Sequence, residues 1–357
     1  MKKFLKILLT LILVVILAAG GLFGWLTVSD FKPEAVESVK VESSGKSGQI
    51  PVNVGMTLLS WNIGYGGLGK ESDFFMDGGK NSRAADTDKV REYLGGIAAT
   101  VSKHAPDLVL LQEVDADSKR SYRIDERVIL GEGMKNTAFA LNYSCPFVPI
   151  PWPPIGRVNS GLFTMTRNLE ITSAERRALP CPFTWPTRVA NLKRCLLVTY
   201  LPTGDSSRQL VLINLHLEAY DDGEGKIAQT KELREFMLSE YEKGNFVIAG
   251  GDFNQTFPGG LDAYPNTHED LWNVGTLDGS IMPDGWTLAY DLSVPTCRLL
   301  NQPYDPSDRE GTQYYVIDGF ILSPNVNMIL VETLDEGFVN SDHNPVRLVF
   351  TLMAAEP

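Results

Sequence analysis

The feature that most constrains this chain is a series of short apolar runs that end in polar residues. They read TLLSWNI (57–63), DLVLLQEV (107–114), SGLFTMT (160–166), CLLVTYL (195–201), QLVLINLHL (209–217), NFVIAG (245–250), YYVIDGFILS (314–323) and PVRLVFTLM (345–353). Their length and their β-branched and aromatic content predict strands. Several lack alternation with polar residues, as expected of strands covered on both faces. Two segments instead carry a helical period: Val90, Leu94, Ile97, Ala98 and Val101, then Ile227, Leu233, Phe236 and Met237. Many strands and few helices predict an α/β (α+β) domain of packed sheets with helices outside.

The N-terminus is separate from that pattern. A basic hexapeptide, MKKFLK, precedes an uncharged run over residues 7–26, ILLTLILVVILAAGGLFGWL. That is long enough to span a bilayer. By the positive-inside rule Lys2, Lys3 and Lys6 stay cytoplasmic, and Trp25 suits the far interface. Residues 1–27 are therefore expected to be a single-pass membrane anchor with the rest extracytoplasmic. The alternative is a cleaved signal peptide, with Ala18 and Gly20 giving a weak cleavage site. Residues 28–55, rich in Lys, Glu, Ser and Gly, read as a flexible linker. Residues 56–357 read as one catalytic domain, expected to be monomeric.

A net charge of −12 argues against a broad electrostatic grip on nucleic acid. Cys145, Cys181, Cys195 and Cys297 are too scattered for a zinc site. A Cys181–Cys195 disulfide and buried free thiols are equally compatible with the spacing.

The polar residues at the ends of the runs carry the chemistry. Asn62, Glu113, His216, Asp252, Asn254, Asp318, Asp342 and His343 each lie in or directly beside an apolar strand. One such residue is an ordinary turn or cap. As a set they can converge where strand ends meet. Glu113, Asn62 and one further carboxylate offer hard oxygen ligands, which suit Mg²⁺ with water and phosphate completing the shell. Zinc or manganese is the alternative. Asp318 is placed to accept from one ring nitrogen of His343, leaving the other for acid–base work. His216 would supply a second imidazole. In VIAGGDFN (247–254), Gly250 and Gly251 are read as letting the backbone turn and a phosphate approach.

The motifs WNIG, LQEVD, NLHL, GGDFN, IDGFILS and SDHNPV occur in an order that resembles the endonuclease/exonuclease/phosphatase superfamily. The likeness covers roughly residues 56–352 and leans to the deoxyribonuclease I-like and neutral sphingomyelinase-like branch. It implies a four-layer αββα sandwich, two sheets flanked by helices, with the site at one edge. It also implies a phosphoesterase using Mg²⁺, with Mn²⁺ or Ca²⁺ as alternatives. Asn62, Glu113 and Asp342 would attend the metal. His216, Asp252, Asn254, Asp318 and His343 would be catalytic. Water would attack phosphorus in line.

Specificity is expected in loops. SKRSYRIDER (118–127) reads as a solvated charged face, with a phosphate-binding lip as the alternative. The stretch CPFVPIPWPPIGRVNSG (145–161) is stiffened by proline and carries Phe147 and Trp152. Within it, Arg157 and Asn159 are candidates for touching the substrate phosphate. The anchor and this apolar loop favour a lipid headgroup or another phosphodiester as substrate. A deoxyribonuclease I-like endonuclease is the alternative. The intact polar set speaks against a catalytically inactive, membrane-tethered binding domain.

Overall fold

The computed structural model describes residues 1–354 except Ser206, Asp222, Glu269 and Arg309. The chain begins with helix α1 (Lys2–Val28). Strands β1 (Val36–Val39), β2 (Val41–Ser43) and β3 (Met56–Asn62) follow. Next come α2 (Thr87–His104), β4 (Leu108–Asp115) and the short α3 (Glu126–Leu130). β5 (Asn136–Val148), β6 (Gly156–Thr166), β7 (Ser173–Ala178), β8 (Cys195–Pro202) and β9 (Gln209–His216) run in succession. Helix α4 (Glu224–Glu242) then leads to β10 (Phe246–Asp252). Of the later strands, Thr287–Ala289 and Asp318–Leu322 extend one sheet, and Val326–Thr333 and Val346–Leu352 the other.

These strands form two seven-stranded sheets. One has the order β1-β7-β8-β9-β10, then Asp318–Leu322 and Thr287–Ala289. The other runs Val326–Thr333, Val346–Leu352, then β3-β4-β6-β5-β2. Alternation along each strand divides the apolar side chains between two faces. Leu58, Leu110, Leu212, Ile248 and Phe320 meet between the sheets. Leu59, Trp61, Val109 and Leu111 turn outward onto Val90, Leu94 and Ile97 of α2. On the far side Val211, Ile213 and Val247 pack on Leu233, Phe236 and Met237 of α4. The result is the expected four-layer sandwich, and it explains the unbroken apolar runs: both faces of each sheet are covered. Ile227, read as part of the α4 stripe, instead faces solvent at 68% exposure. Phe320 is fully buried between the sheets, so Phe320→Ala should lower unfolding stability by about 3–5 kcal/mol in denaturant titration.

Residues 28–55, expected as a flexible linker by composition, contain two strands. β1 pairs with β7 in one sheet, from Val36↔Arg177 to Val39↔Ala174. β2 pairs with β5 in the other, from Val41↔Ala138 to Ser43↔Asn136. Short polar strands have little apolar signal, because an edge strand need bury only part of one face. One short segment thus covers the same end of both sheets. A chain beginning at Val54 should therefore expose the β5 and β7 edges and self-associate more strongly by light scattering than one beginning at Asp30. Equal behaviour of the two would contradict this role.

All four cysteines are free: Cys145, Cys195 and Cys297 are buried, and Cys181 is partly so. The compatible Cys181–Cys195 disulfide does not form here. Cys195 sits inside β8, facing the carbonyl of Leu141.

Candidate active site

Strand register assembles the first row of the site. β9 and β10 run parallel with His216 beside Asp252. Asp252 also pairs with Asp318 on its other side. Neighbours in register point to the same face, so three polar side chains stand in line. The second sheet contributes Asn62, which ends β3 opposite Gln112 of β4. The two sheets meet where Asn62 Nδ2 donates to Asp252 Oδ2 at 3.0 Å.

Glu113 arrives by a different device. A β-bulge interrupts the β4–β6 ladder between Leu111 and Val114. Glu113 takes a φ of 56° there, a conformation that strains a side chain bearing Cβ. The bulge aims its carboxylate at Asn62, whose Nδ2 lies 3.4 Å from Oε1. Asn62 Oδ1 is occupied by the backbone N–H of Gly64 at 3.1 Å. Asn62 thus presents its amide nitrogen, a donor, to two carboxylates. It orients them rather than offering an oxygen to a cation.

His343 lies between two carboxylates. Its Nδ1 is 2.8 Å from Asp318 Oδ2, and its Nε2 is 3.8 Å from Asp252 Oδ2. The Asp318 carboxylate holds the imidazole well above the usual histidine range despite burial. His216 behaves oppositely. Burial and the nearby Arg194 guanidinium push it well below that range, so it is neutral. Its Nε2 is 3.4 Å from Asp252 Oδ2, and its buried Nδ1 has no hydrogen-bond partner among the described residues. Burial and the charge of Asp318 raise Asp252 to about 7. Burial, with Glu113 adding repulsion, raises Asp342 to about 6.

Asn254 lies past the strand end with a φ of 50°. Its N–H donates to Asp252 Oδ1 at 2.8 Å, and its Nδ2 donates to the carbonyl of Leu217 at 2.8 Å. Phe253 between them turns into the core beneath α4. The two glycines before Asp252 serve packing. A Cβ on Gly251, whose φ is 146°, would sit 2.0 Å from the carbonyl oxygen of Leu215. One on Gly250 would strike the Phe320 ring at 2.4 Å. The close approach read into GGDFN is therefore made by protein atoms.

Arg157 and Asn159 are engaged elsewhere. Arg157 Nε pairs with Asp117 at 3.0 Å, and the Asn159 side chain bonds Ser144 Oγ at 2.8 Å. Both lie on β6, with Asn159 inside the strand rather than before it. The basic stretch 118–127 is neither a lip nor wholly solvated. Arg123 pairs with Asp117 and Arg127 with Asp125. Arg120 is buried, forked onto Asp115 at 3.0 and 3.1 Å, and 3.9 Å from Glu113 Oε2. Its guanidinium stacks 3.7 Å from the ring centroid of Tyr65.

Sequence reasoning missed Arg120 because a charge run is normally solvated. It also missed an amide pin beneath the site. Gln112 Nε2 donates to Asn214 Oδ1 at 2.8 Å across the two sheets. Asn214 Nδ2 donates to the carbonyl of Leu111 at 3.1 Å. Both residues are fully buried. The available signal was an amide inside each of two otherwise apolar strands, which burial tolerates only when paired. At the rim, Tyr220 Oη donates to Asp77 Oδ1 at 2.9 Å, and burial raises Asp77 to about 6.

The donor set fits a hard divalent cation. Glu113 and Asp342 repel one another in a largely buried setting, and a cation relieves that repulsion. Two further groups of potential ligands lie within 4.8 Å: Cys297, Asp342 and His343, and Asp252, Asp318 and His343. Both share His343, whose Nδ1 is committed to Asp318. Burial pushes the Cys297 thiol up to about 12, and a soft sulfur is a poor match for a hard divalent cation. Glu113 acts on Asp342 through its charge, so the two carboxylates are near enough to repel.

The arrangement is that of a phosphoesterase of the two-sheet sandwich class. A sequence model of the Endonuclease/Exonuclease/phosphatase family matches residues 59–343, and the chain belongs to that family. Similar solved structures include an endonuclease/exonuclease/phosphatase from Beutenbergia cavernae DSM 12333. It is 18% identical, covers 84% of this chain and 72% of its own, and has a TM-score of 0.55. A family protein from Leptotrichia buccalis C-1013-b is 14% identical over 83% of this chain and 100% of its own, with a TM-score of 0.53. The human Nocturnin catalytic domain, solved with a bound sulfate anion, is 17% identical over 88% and 97%, with a TM-score of 0.51. At these identities the likeness is one of fold. No curated protein matches the sequence.

Proposed function

We propose that the protein is a membrane-anchored, extracytoplasmic, Mg²⁺-dependent phosphoesterase that hydrolyses its substrate by in-line attack of water. The observation that carries this reading is the hub at Asp252. Its Oδ2 lies 3.0 Å from Asn62, 3.4 Å from His216 and 3.8 Å from His343. Asp318 holds the far side of His343 at 2.8 Å.

In this mechanism Asp252, raised to about 7, orients the attacking water and accepts its proton. His343, kept protonated by Asp318, donates toward the phosphoryl oxygens and, as the ester P–O bond breaks, an imidazole gives its proton to the leaving oxygen. His216, neutral and with a free Nδ1, completes the polar wall on the other side. Asn62 and Asn254 fix the Asp252 carboxylate from two directions. Glu113 and Asp342 would hold a divalent cation, whose charge would offset the negative charge growing on the phosphate. Helix α1 supports the anchor: it has 27 residues, a mean hydropathy of 2.7 over its most apolar window, and none of that window is buried.

The test is turnover by the full chain in detergent, with Mg²⁺ and with EDTA. The panel holds plasmid DNA, sphingomyelin, inositol phosphates and a generic phosphodiester. EDTA-sensitive hydrolysis of at least one is expected, and its absence on all would remove the enzyme reading. Cleavage of DNA alone would replace it with the endonuclease reading.

A further inference from the structure

The last turns of α1 belong to the catalytic domain. Leu26 is 1% exposed, and with Leu22 it packs on Val148, Ile155 and Val189. Trp185 Nε1 donates to Thr27 Oγ1 at 3.1 Å, and the Trp185 ring meets Phe23 at 6.5 Å between centroids. Two residues past the helix, Asp30 pairs with Lys193 at 3.3 Å, both side chains nearly buried. No free tether separates the apolar helix from the domain.

Two loops beside this junction expose large apolar side chains. Trp152 is 90% exposed and Ile150 67% exposed on the β5–β6 turn. Trp185, on the segment before β8, is 63% exposed.

Register places both loops at the site end of the sandwich. Ser160 of β6 stands opposite Asp115 of β4, two residues beyond Glu113, and β6 begins at Gly156. The β5–β6 turn therefore projects outward past Glu113, by roughly 13 Å beyond Ser160 at the usual strand rise. β8 begins at Cys195, and its Leu196 lies opposite Leu215, the neighbour of His216.

From this we infer that the edge of the sandwich carrying the site is seated on the lipid bilayer, and that the phosphate attacked belongs to a lipid headgroup. The inference rests on the phosphoesterase reading for its substrate half only. Residues 22–28 rise about 9 Å along the helix. The interfacial zone that amphipathic segments occupy is about 5–10 Å deep. Because those residues pack directly on the domain, the domain surface around them lies in that zone. Tryptophan favours that region, with its ring among acyl chains and its N–H near headgroups. The continuity of the exposed residues with an apolar helix long enough to cross a membrane selects lipid as the occupant over a second protein.

The test uses the full chain in vesicles of phosphatidylcholine and sphingomyelin. The Ile150→Asp/Trp152→Asp double variant changes two exposed side chains, so folding should be unaffected. It should hydrolyse vesicle lipid about tenfold more slowly while its turnover of a soluble chromogenic phosphodiester stays unchanged. In vesicles with brominated acyl chains, Trp152→Phe should lose part of the tryptophan quenching seen in the parent. Equal quenching of parent and Trp152→Phe would overturn the seating, as would an equal fall in both activities. Cleavage of plasmid DNA but not vesicle lipid would overturn the lipid source. Absence of EDTA-sensitive turnover of the soluble ester would instead count against the phosphoesterase reading, and the quenching result would still decide the seating.

Discussion

His343→Ala should lower kcat on a generic phosphodiester about a thousandfold, the scale expected when a positioned acid–base group is removed. The imidazole lies between Asp318 and Asp252, at 2.8 and 3.8 Å. Its removal leaves two buried carboxylates facing each other, so a stability loss of about 3 kcal/mol should accompany the loss of rate. Asp318→Asn separates the two effects. It keeps the shape of the side chain but removes the charge that holds His343 protonated. Turnover should fall by at least about a hundredfold, while the melting temperature changes little. Activity within tenfold of the parent in both variants would show that the Asp318–His343 pair has no part in the chemistry.

The second large effect concerns Glu113, where rate and stability should move apart. Glu113→Ala and Glu113→Gly both remove a carboxylate proposed to hold the cation, so both should lose turnover and shift Mg²⁺ activation to much higher concentration. They should differ in stability. The backbone at 113 has a φ of 56°, which costs a residue with Cβ about 1 kcal/mol and glycine almost nothing. The glycine variant should therefore melt about 2 °C above the alanine variant. The Glu113 side chain meets Asn62 at 3.4 Å and Arg120 at 3.9 Å, and both variants lose these contacts alike, so the comparison isolates the backbone. Coincident melting curves would show that the bulge carries no strain. A gain in stability on loss of function is the expected mark of strain held at a working site.

Much of this arrangement was legible in the sequence because burial on both faces leaves a plain imprint. The central strands of the two sheets read as apolar runs, and the polar residues that end them lie together at one edge of the fold, whereas β5, β7, Thr287–Ala289 and Val326–Thr333 are not read as strands. Asn62, His216, Asp252, Asp318 and His343 form one connected set of contacts, with Glu113 against Asn62. What escaped was whatever depends on pairing rather than pattern. β1 and β2 are too short and too polar to announce themselves, and only their partners make them strands. Arg120 sits among exposed charges in sequence yet is buried against Asp115 and Tyr65, since a paired guanidinium can enter the interior. Arg157 and Asn159, candidates for touching the phosphate, have local partners in Asp117 and Ser144.

The short strands β1 and β2 also impose an order in time. They leave the ribosome directly after α1, yet β5 and β7, which receive them, follow roughly a hundred residues later. At typical synthesis rates of about 5–20 residues per second, the first segments wait several seconds for their partners. During that interval α1 can seat itself in a bilayer while the strands behind it remain unpaired. Asp318–Leu322 and Val346–Leu352 emerge later still, so the clasp at one end of both sheets can close before the sandwich is complete. The order of synthesis thus lets α1 take its place before the domain around it is finished.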